Sequence, residues 1–443
     1  MTAILHRQPK NPPSAAVRGD GVYLFDAAGK AYLDGSGGAA VSCLGHGHPR
    51  VIEAIVRQTE SLAYAHTAFF SSEPAEALAD WLVSRAPAGF GKVYFVSGGS
   101  EAMETALKLA RQYHVACGEP ERSIFISRRQ SYHGNTLGAL SVSGNAARRA
   151  AFEPLLTSGE RIPPCYSYRE QLADETLEAY GRRAAQELAT AIERVGTKRV
   201  AAFIAEPVVG ATLGAVPPAP SYFQHIREIC DAYGVLFIAD EVMCGLGRCG
   251  ARFAAEVYEV VPDLICMAKG LAGGYQPIGA VLVQDRLVSA IVKRHGHFEH
   301  GHTYIGHPIA CAAALAVQHE IEEQNLIDCV CERGAYLEQR LRQVLEQHAF
   351  VGDIRGRGLL FGIEIVADRT NKTPFPAGDR VAARIKTAAL ERGLICYPGT
   401  GTADGVNGDH ILLAPPFIVN DAHLDELVSK LATSIGDVLG GGS

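Results

Sequence analysis

The 443 residues contain no basic block, no long apolar run and no regular cysteine pairing, and each absence removes a class of protein. Charges of both signs are mixed along the chain, with a formal net charge of -7. Without clustered Lys and Arg there is no footprint for a phosphate backbone, so no nucleic-acid partner is expected. Apolar stretches such as Pro308–Val317 are too short to cross a bilayer, and Met1–Ser14 lacks the apolar segment of a signal peptide. No membrane association is expected either. The 11 cysteines are scattered and odd in number, which predicts buried free thiols in a reducing cytoplasm. Cys329 and Cys331 are too isolated to suggest zinc. A full Walker pattern and a GxGxxG after a first strand are also missing. That argues against a nicotinamide-dependent oxidoreductase, the remote alternative.

What is present is ordinary globular composition, 47% hydrophobic and 20% charged, with 47 glycines that predict tight turns and close backbone approaches to a ligand. Between about residues 90 and 285 short apolar runs alternate with helical patterns. Val93–Val96, Ile124–Ser127, Val200–Ala205, Val235–Ala239, Leu264–Ala268 and Ile278–Val283 read as buried strands. Glu101–His114 and Tyr222–Tyr233 read as helices, and Pro308 opens an Ala-rich one. The alternation predicts an α/β fold with a mostly parallel sheet flanked by helices. Val22–Leu33 reads as a hairpin, Leu359–Ile365 as a strand, and Arg380–Glu391 and Asp421–Leu439 as helices. Ile162–Pro164 and Gly210–Pro220 read as loops, and Gly440–Ser443 as a flexible end. The expected division is 1–58 and 326–443 for a smaller α+β domain built from both termini, and 59–325 for the large domain.

Three charged residues stand where core strands end: Glu206, Asp240 and Lys269. The carboxyl ends of strands border the ligand crevice of open α/β sheets, so parallel neighbours would bring the three together. A charge at a strand end can also simply mark the exit from the core. As a group the three suit one chemistry. A lysine amine can form a Schiff base with an aldehyde cofactor, and an aspartate can pair with a protonated pyridine nitrogen. Ser97-Gly-Gly-Ser100, between a strand and a helix, offers free N–H groups and the Ser100 hydroxyl to a phosphate; alternatively Ser100 only caps the helix. Glu241 reads as a cap for the next segment. The histidines at 295, 297, 300, 302 and 307 do not present four tetrahedral ligands at their alternating spacing, so no metal is expected there, nor at His46 and His48.

With these pieces the sequence resembles the class III aminotransferases, fold-type I pyridoxal-phosphate (PLP) enzymes that include ω-amino acid and amine transaminases. The resemblance spans nearly the whole chain, in family order: Asp34-Gly-Ser-Gly-Gly with Leu44-Gly-His-Gly-His-Pro49, Ser97-Gly-Gly-Ser-Glu-Ala-Met-Glu104, Ser131-Tyr-His-Gly134, Glu206-Pro-Val-Val-Gly210, Ala239-Asp-Glu-Val242, Ala268-Lys-Gly-Leu271, His302-Thr-Tyr-Ile-Gly-His-Pro308 and Ala414-Pro-Pro416. It implies Lys269 and Asp240 as catalytic residues, Lys269 holding pyridoxal 5'-phosphate and Asp240 meeting the pyridine nitrogen. It implies Gly99 and Ser100 at the phosphate, Tyr132 and Val242 on the two ring faces, and His133 and Glu206 close by. Thr303 would reach the phosphate of a second subunit, which implies a homodimer, or a tetramer built from it, with the site at the interface. The implied reaction moves an amino group from an amine or ω-amino acid to an oxo acid by ping-pong turnover. PLP lyases and racemases share the scaffold and are the nearer alternative. Two departures bear on substrate. Leu412 stands where relatives acting on dicarboxylate partners carry arginine, and Ala403–Asn407 lacks the mobile arginine of many amine transaminases. Arg128 and Arg248 are then candidates for the carboxylate, with pyruvate favoured as acceptor and 2-oxoglutarate possible.

Overall fold

The computed structural model of the protein describes residues 2–440; the rest of the glycine-rich tail expected as a flexible end lies outside them. Its centre is a seven-stranded sheet. In chain order the strands are β1 (Phe90–Val96), β2 (Ile124–Arg128), β3 (Glu160–Ile162), β4 (Val200–Ala205), β5 (Leu236–Asp240), β6 (Leu264–Met267) and β7 (Gly279–Gln284). Their order across the sheet is β1-β7-β6-β5-β4-β2-β3. Only β7 runs against the others, pairing antiparallel with both β1 and β6. Every residue of β4, β5 and β6 is buried, as expected for strands covered by helices on both faces. Helices Leu177–Val195 and Tyr222–Tyr233 pack on one side through Ile192, Phe223 and Phe203. Helices Gly99–Ala116 and Asp285–His295 pack on the other through Met103, Ile238 and Ile291. Each large apolar side chain removed from water in this way contributes about 1.5–3 kcal/mol.

All six expected core strands are present, with ends shifted by a few residues. One strand, β3, stands where Ile162–Pro164 reads as a loop. Glu160–Ile162 pairs parallel with Ile126–Arg128 at the sheet edge, and the loop begins only at Pro163. An edge strand of three residues leaves no periodicity to read, and the prolines that follow end it.

The two ends of the chain meet. Ala16–Asp20, Tyr23–Asp26 and Ala31–Asp34 form an antiparallel set, completed by Leu394–Ile395 pairing parallel with Leu33 and Asp34. A second sheet joins Val351–Arg357, Leu360–Ile365, Asp409–Leu413 and Tyr397–Thr400. Both share one core with the helices Pro308–Glu323, Leu326–Leu345, Val381–Glu391 and Asp421–Leu439. All 11 cysteines are free thiols, most of them buried. Among the described residues no helix is long and apolar enough to cross a membrane.

Candidate active site

Strands β4, β5 and β6 are parallel neighbours, so their carboxyl ends open onto the same edge of the sheet. Glu206 follows β4, Asp240 ends β5, and Lys269 lies two residues past β6. Because β1 and β6 both run antiparallel to β7, the end of β1 opens there too. Ser97–Ser100 thereby joins the three. The result is a cavity of about 320 Å³ lined by Gly99, Ser100, Tyr132, His133, Glu206, Asp240, Val242 and Lys269. Of the cofactor-binding residues read from the sequence only Thr303 is elsewhere. It is exposed, and its carbonyl accepts the Tyr64 hydroxyl at 2.9 Å.

The turn after β1 leads into an 18-residue helix, Gly99–Ala116, that starts two residues before its sequence pattern does. Gly98, not Ser100, is the cap position, and no side chain caps the first turn. Ser100 therefore has its hydroxyl in the cavity, where it accepts the Asn135 N–H at 3.0 Å. Free N–H groups at the start of a long helix form an anion site. Gly99 is required for space: a Cβ there would come within 2.8 Å of Val242 Cγ1.

Asp240 is 3% exposed and held from two sides. His133 Nδ1 lies 2.7 Å from its Oδ2, and the Val242 N–H donates to its Oδ1 at 3.1 Å. His133 Nε2 is buried with no partner. Glu206 Oε1 accepts the Tyr132 N–H at 3.2 Å, and burial raises the Glu206 carboxyl above the usual range. Glu241 behaves as a cap: its oxygens accept the N–H groups of Ala254 and Ala255 at 2.6 and 2.8 Å, and burial pushes its pKa up to about 8.

Lys269 adopts a left-handed backbone, φ 48°, at the head of a short turn. Such a conformation costs a non-glycine residue about 1–3 kcal/mol and persists only where its surroundings impose it. Here the buried amide of Gln318 donates to the carbonyls of Gly270 and Leu271, both at 2.9 Å, and pins the turn. Burial lowers the Lys269 amine to about 8, while Asp240 and Glu206 pull the other way. A base with a lowered pKa loses its proton at lower pH. Covalent capture of added PLP by the apoprotein should therefore speed up as pH rises through about 8 and level off above it. Stopped-flow absorbance tests this; a rate still climbing beyond pH 10 would count against it.

The sequence missed several lining residues, Arg7, Arg148, Gly210, Met243 and Tyr397 among them. The carboxylate candidates Arg128 and Arg248 are not among the lining residues. Arg128 is 1% exposed and donates to the Glu206 carbonyl; Arg248, 2% exposed, donates to the carbonyls of Leu359 and Pro415. The histidines take local partners. His300 meets Thr105 at 2.9 Å, His297 meets Glu299, His46 faces Asp34 and His48 faces Glu320.

An uncapped helix start for a phosphate, a buried carboxylate for a ring nitrogen, an unpartnered imidazole nitrogen and a lysine of lowered pKa in one cavity fit pyridoxal phosphate. Fold and site together define a fold-type I PLP enzyme. The family model for "Aminotransferase class-III" matches residues 4–435, and the chain belongs to that family. It is 45% identical over 433 residues to an uncharacterised aminotransferase of Schizosaccharomyces pombe, covering 98% of this chain and 94% of that one. It is 36% identical to γ-aminobutyrate transaminase 3 of Solanum lycopersicum, covering 96% and 81%. A structure of the ω-transaminase of Pseudomonas jessenii in complex with PMP superposes with a TM-score of 0.92 at 33% identity, covering 98% and 96%. The protein is a transaminase, and its cofactor is pyridoxal 5'-phosphate.

Proposed function

We propose that this transaminase moves the amino group of an amine or ω-amino acid onto an oxo acid, with pyruvate favoured over 2-oxoglutarate. The observation that carries the reading is the convergence of Lys269, Asp240 and the Gly99–Ser100 turn on one cavity. Bound there, the cofactor supplies an aldehyde for amines and a ring that withdraws electrons from them. Lys269 Nζ would hold the cofactor, and its amine would be the base that moves the proton at the amine-bearing carbon. Asp240, oriented by His133 and the Val242 N–H, would keep negative charge against the ring nitrogen. Tyr132 and Val242, both lining the cavity, would cover the ring faces and keep water away. Gly99 and Ser100 hold the phosphate, and Glu206 fixes the Tyr132 backbone.

The acceptor preference rests on what the C-terminal strand lacks. Leu412 is buried in an apolar cluster with Leu360 and Ala414, so no guanidinium from that strand meets a second carboxylate. A dicarboxylate loses its best partner there, while a monocarboxylate such as pyruvate does not need it.

We also propose a cytoplasmic homodimer, with residues 59–325 as the cofactor-binding domain. Phe69, Phe70 and Tyr304 are 80%, 70% and 60% exposed, and Tyr64 packs edge-on against Tyr304. Such a group of exposed aromatics suits burial by a second copy. The neighbouring Thr303 would then serve the other subunit's phosphate.

A half-reaction screen tests the function. Holoenzyme mixed with a panel of amines, ω-amino acids and α-amino acids should lose its PLP absorbance with the first two groups, and pyruvate should restore it faster than 2-oxoglutarate. Conversion by α-amino dicarboxylates alone would overturn the substrate reading.

A further inference from the structure

Arg128 and Arg248, the arginines that the sequence offers for the substrate carboxylate, are buried outside the cavity lining, so the cation comes from another residue. Two side chains supply one, Arg148 and Arg7. Arg7 stands on an exposed N-terminal segment. Arg148 stands on the short helix Ala146–Arg149, and that helix is firmly placed. Asn145 Oδ1 accepts the Arg148 N–H at 3.0 Å. The adjacent Arg149 is buried and donates to the carbonyls of Leu140, Ser141 and Ser143 and to Glu153. Of the tandem arginines, one anchors the helix and the other is left for the cavity.

The Arg148 guanidinium lies 4.7 Å from the centre of the Tyr132 ring, half-buried, and among the described residues it meets no carboxylate. The cavity's own anions have other neighbours: Asp240 has His133, and Glu206 has the Tyr132 N–H and, at 3.7 Å, the Arg128 guanidinium. A guanidinium stacked on an aromatic face keeps its fork of donors free and has already lost part of its side-chain freedom. It is therefore prepared for a two-pronged pair with a carboxylate. We propose that Arg148 is the residue that holds the carboxylate of amino acid donors and of the oxo acid acceptor. This rests on the transaminase reading above. Through it the enzyme takes both amines without a carboxylate and ω-amino acids, with no arginine at Leu412 or in Ala403–Asn407: an amine leaves Arg148 to water, and an amino acid pairs with it.

The test uses holoenzyme and the variants Arg148→Gln and Arg148→Lys. Calorimetric titration with propanoate, which has a carboxylate and no amine, reads the pair without turnover. Its Kd should rise about tenfold or more in Arg148→Gln, as loss of a charge-assisted pair predicts, and less in Arg148→Lys. Half-reactions with 4-aminobutyrate and 1-phenylethylamine give a second readout. The ratio of their kcat/KM values should fall at least about tenfold in Arg148→Gln, chiefly through KM for the acid. Unchanged propanoate binding, or an equal loss for both donors, would overturn the assignment, since support of Tyr132 alone would harm both alike. A full loss in Arg7→Gln with none in Arg148→Gln would overturn it as well. Wild-type holoenzyme that converts neither donor overturns the proposed amine and ω-amino acid donor class, whereas normal wild-type turnover with an unmoved ratio overturns only the role of Arg148.

Discussion

Lys269→Ala is expected to abolish transamination, lowering the half-reaction rate by at least about 10⁴-fold. Two functions end together: covalent attachment of the cofactor and transfer of the proton at the substrate carbon. The fold should survive. Lys269 sits in a turn pinned by Gln318 through backbone carbonyls, not through its own side chain. Removing an amine whose pKa is held near 8 by burial also removes a desolvation cost, so thermal stability of the apoprotein should stay level or rise slightly. The phosphate turn is untouched, so the variant should still bind PLP without the covalent bond. Borohydride reduction of wild-type holoenzyme, followed by peptide mapping, should place the cofactor on Lys269. Label on another lysine, or a variant rate above about one hundredth of wild type, would refute the assignment.

Asp240→Asn should lower kcat by about 10²–10³-fold with little change in KM. The carboxylate is buried, and its charge would keep a proton on the ring nitrogen of the bound cofactor; breaking a buried charge pair by removing one partner costs about 3–5 kcal/mol. Asparagine keeps the shape, and its carbonyl oxygen can still accept the Val242 N–H that now meets Oδ1 at 3.1 Å. Circular dichroism and the melting curve should therefore be nearly those of wild type, while a substrate deuterated at the amine-bearing carbon should show a larger kinetic isotope effect as proton transfer becomes limiting. Near-normal turnover would remove Asp240 from the ring nitrogen.

Parts of this site could be read in one dimension because they are local. Strands β4, β5 and β6 are apolar along their whole length, so their ends stand out, and the charged residues at or just beyond them are conspicuous. The Gly99 turn is likewise a contiguous strand–turn–helix signal. The helix start was misplaced by two residues, since its cap, Gly98, has no side chain to announce it. The partnership of His133 with Asp240 was not visible, because the two are 107 residues apart and meet only across the sheet.

The arginines show the same division most clearly. Arg128 and Arg248 follow or precede family motifs and looked available; folding buries both against carbonyls. Arg148 and Arg149 are chemically identical neighbours, and nothing in their order says which one turns inward to three carbonyls and which one faces Tyr132. By itself the sequence determined the α/β class and the family, because apolar runs and short motifs are properties of neighbouring residues. Tertiary structure decided which arginines are buried away from the cavity and which line it, because that depends on where distant carbonyls and rings come to lie around a side chain.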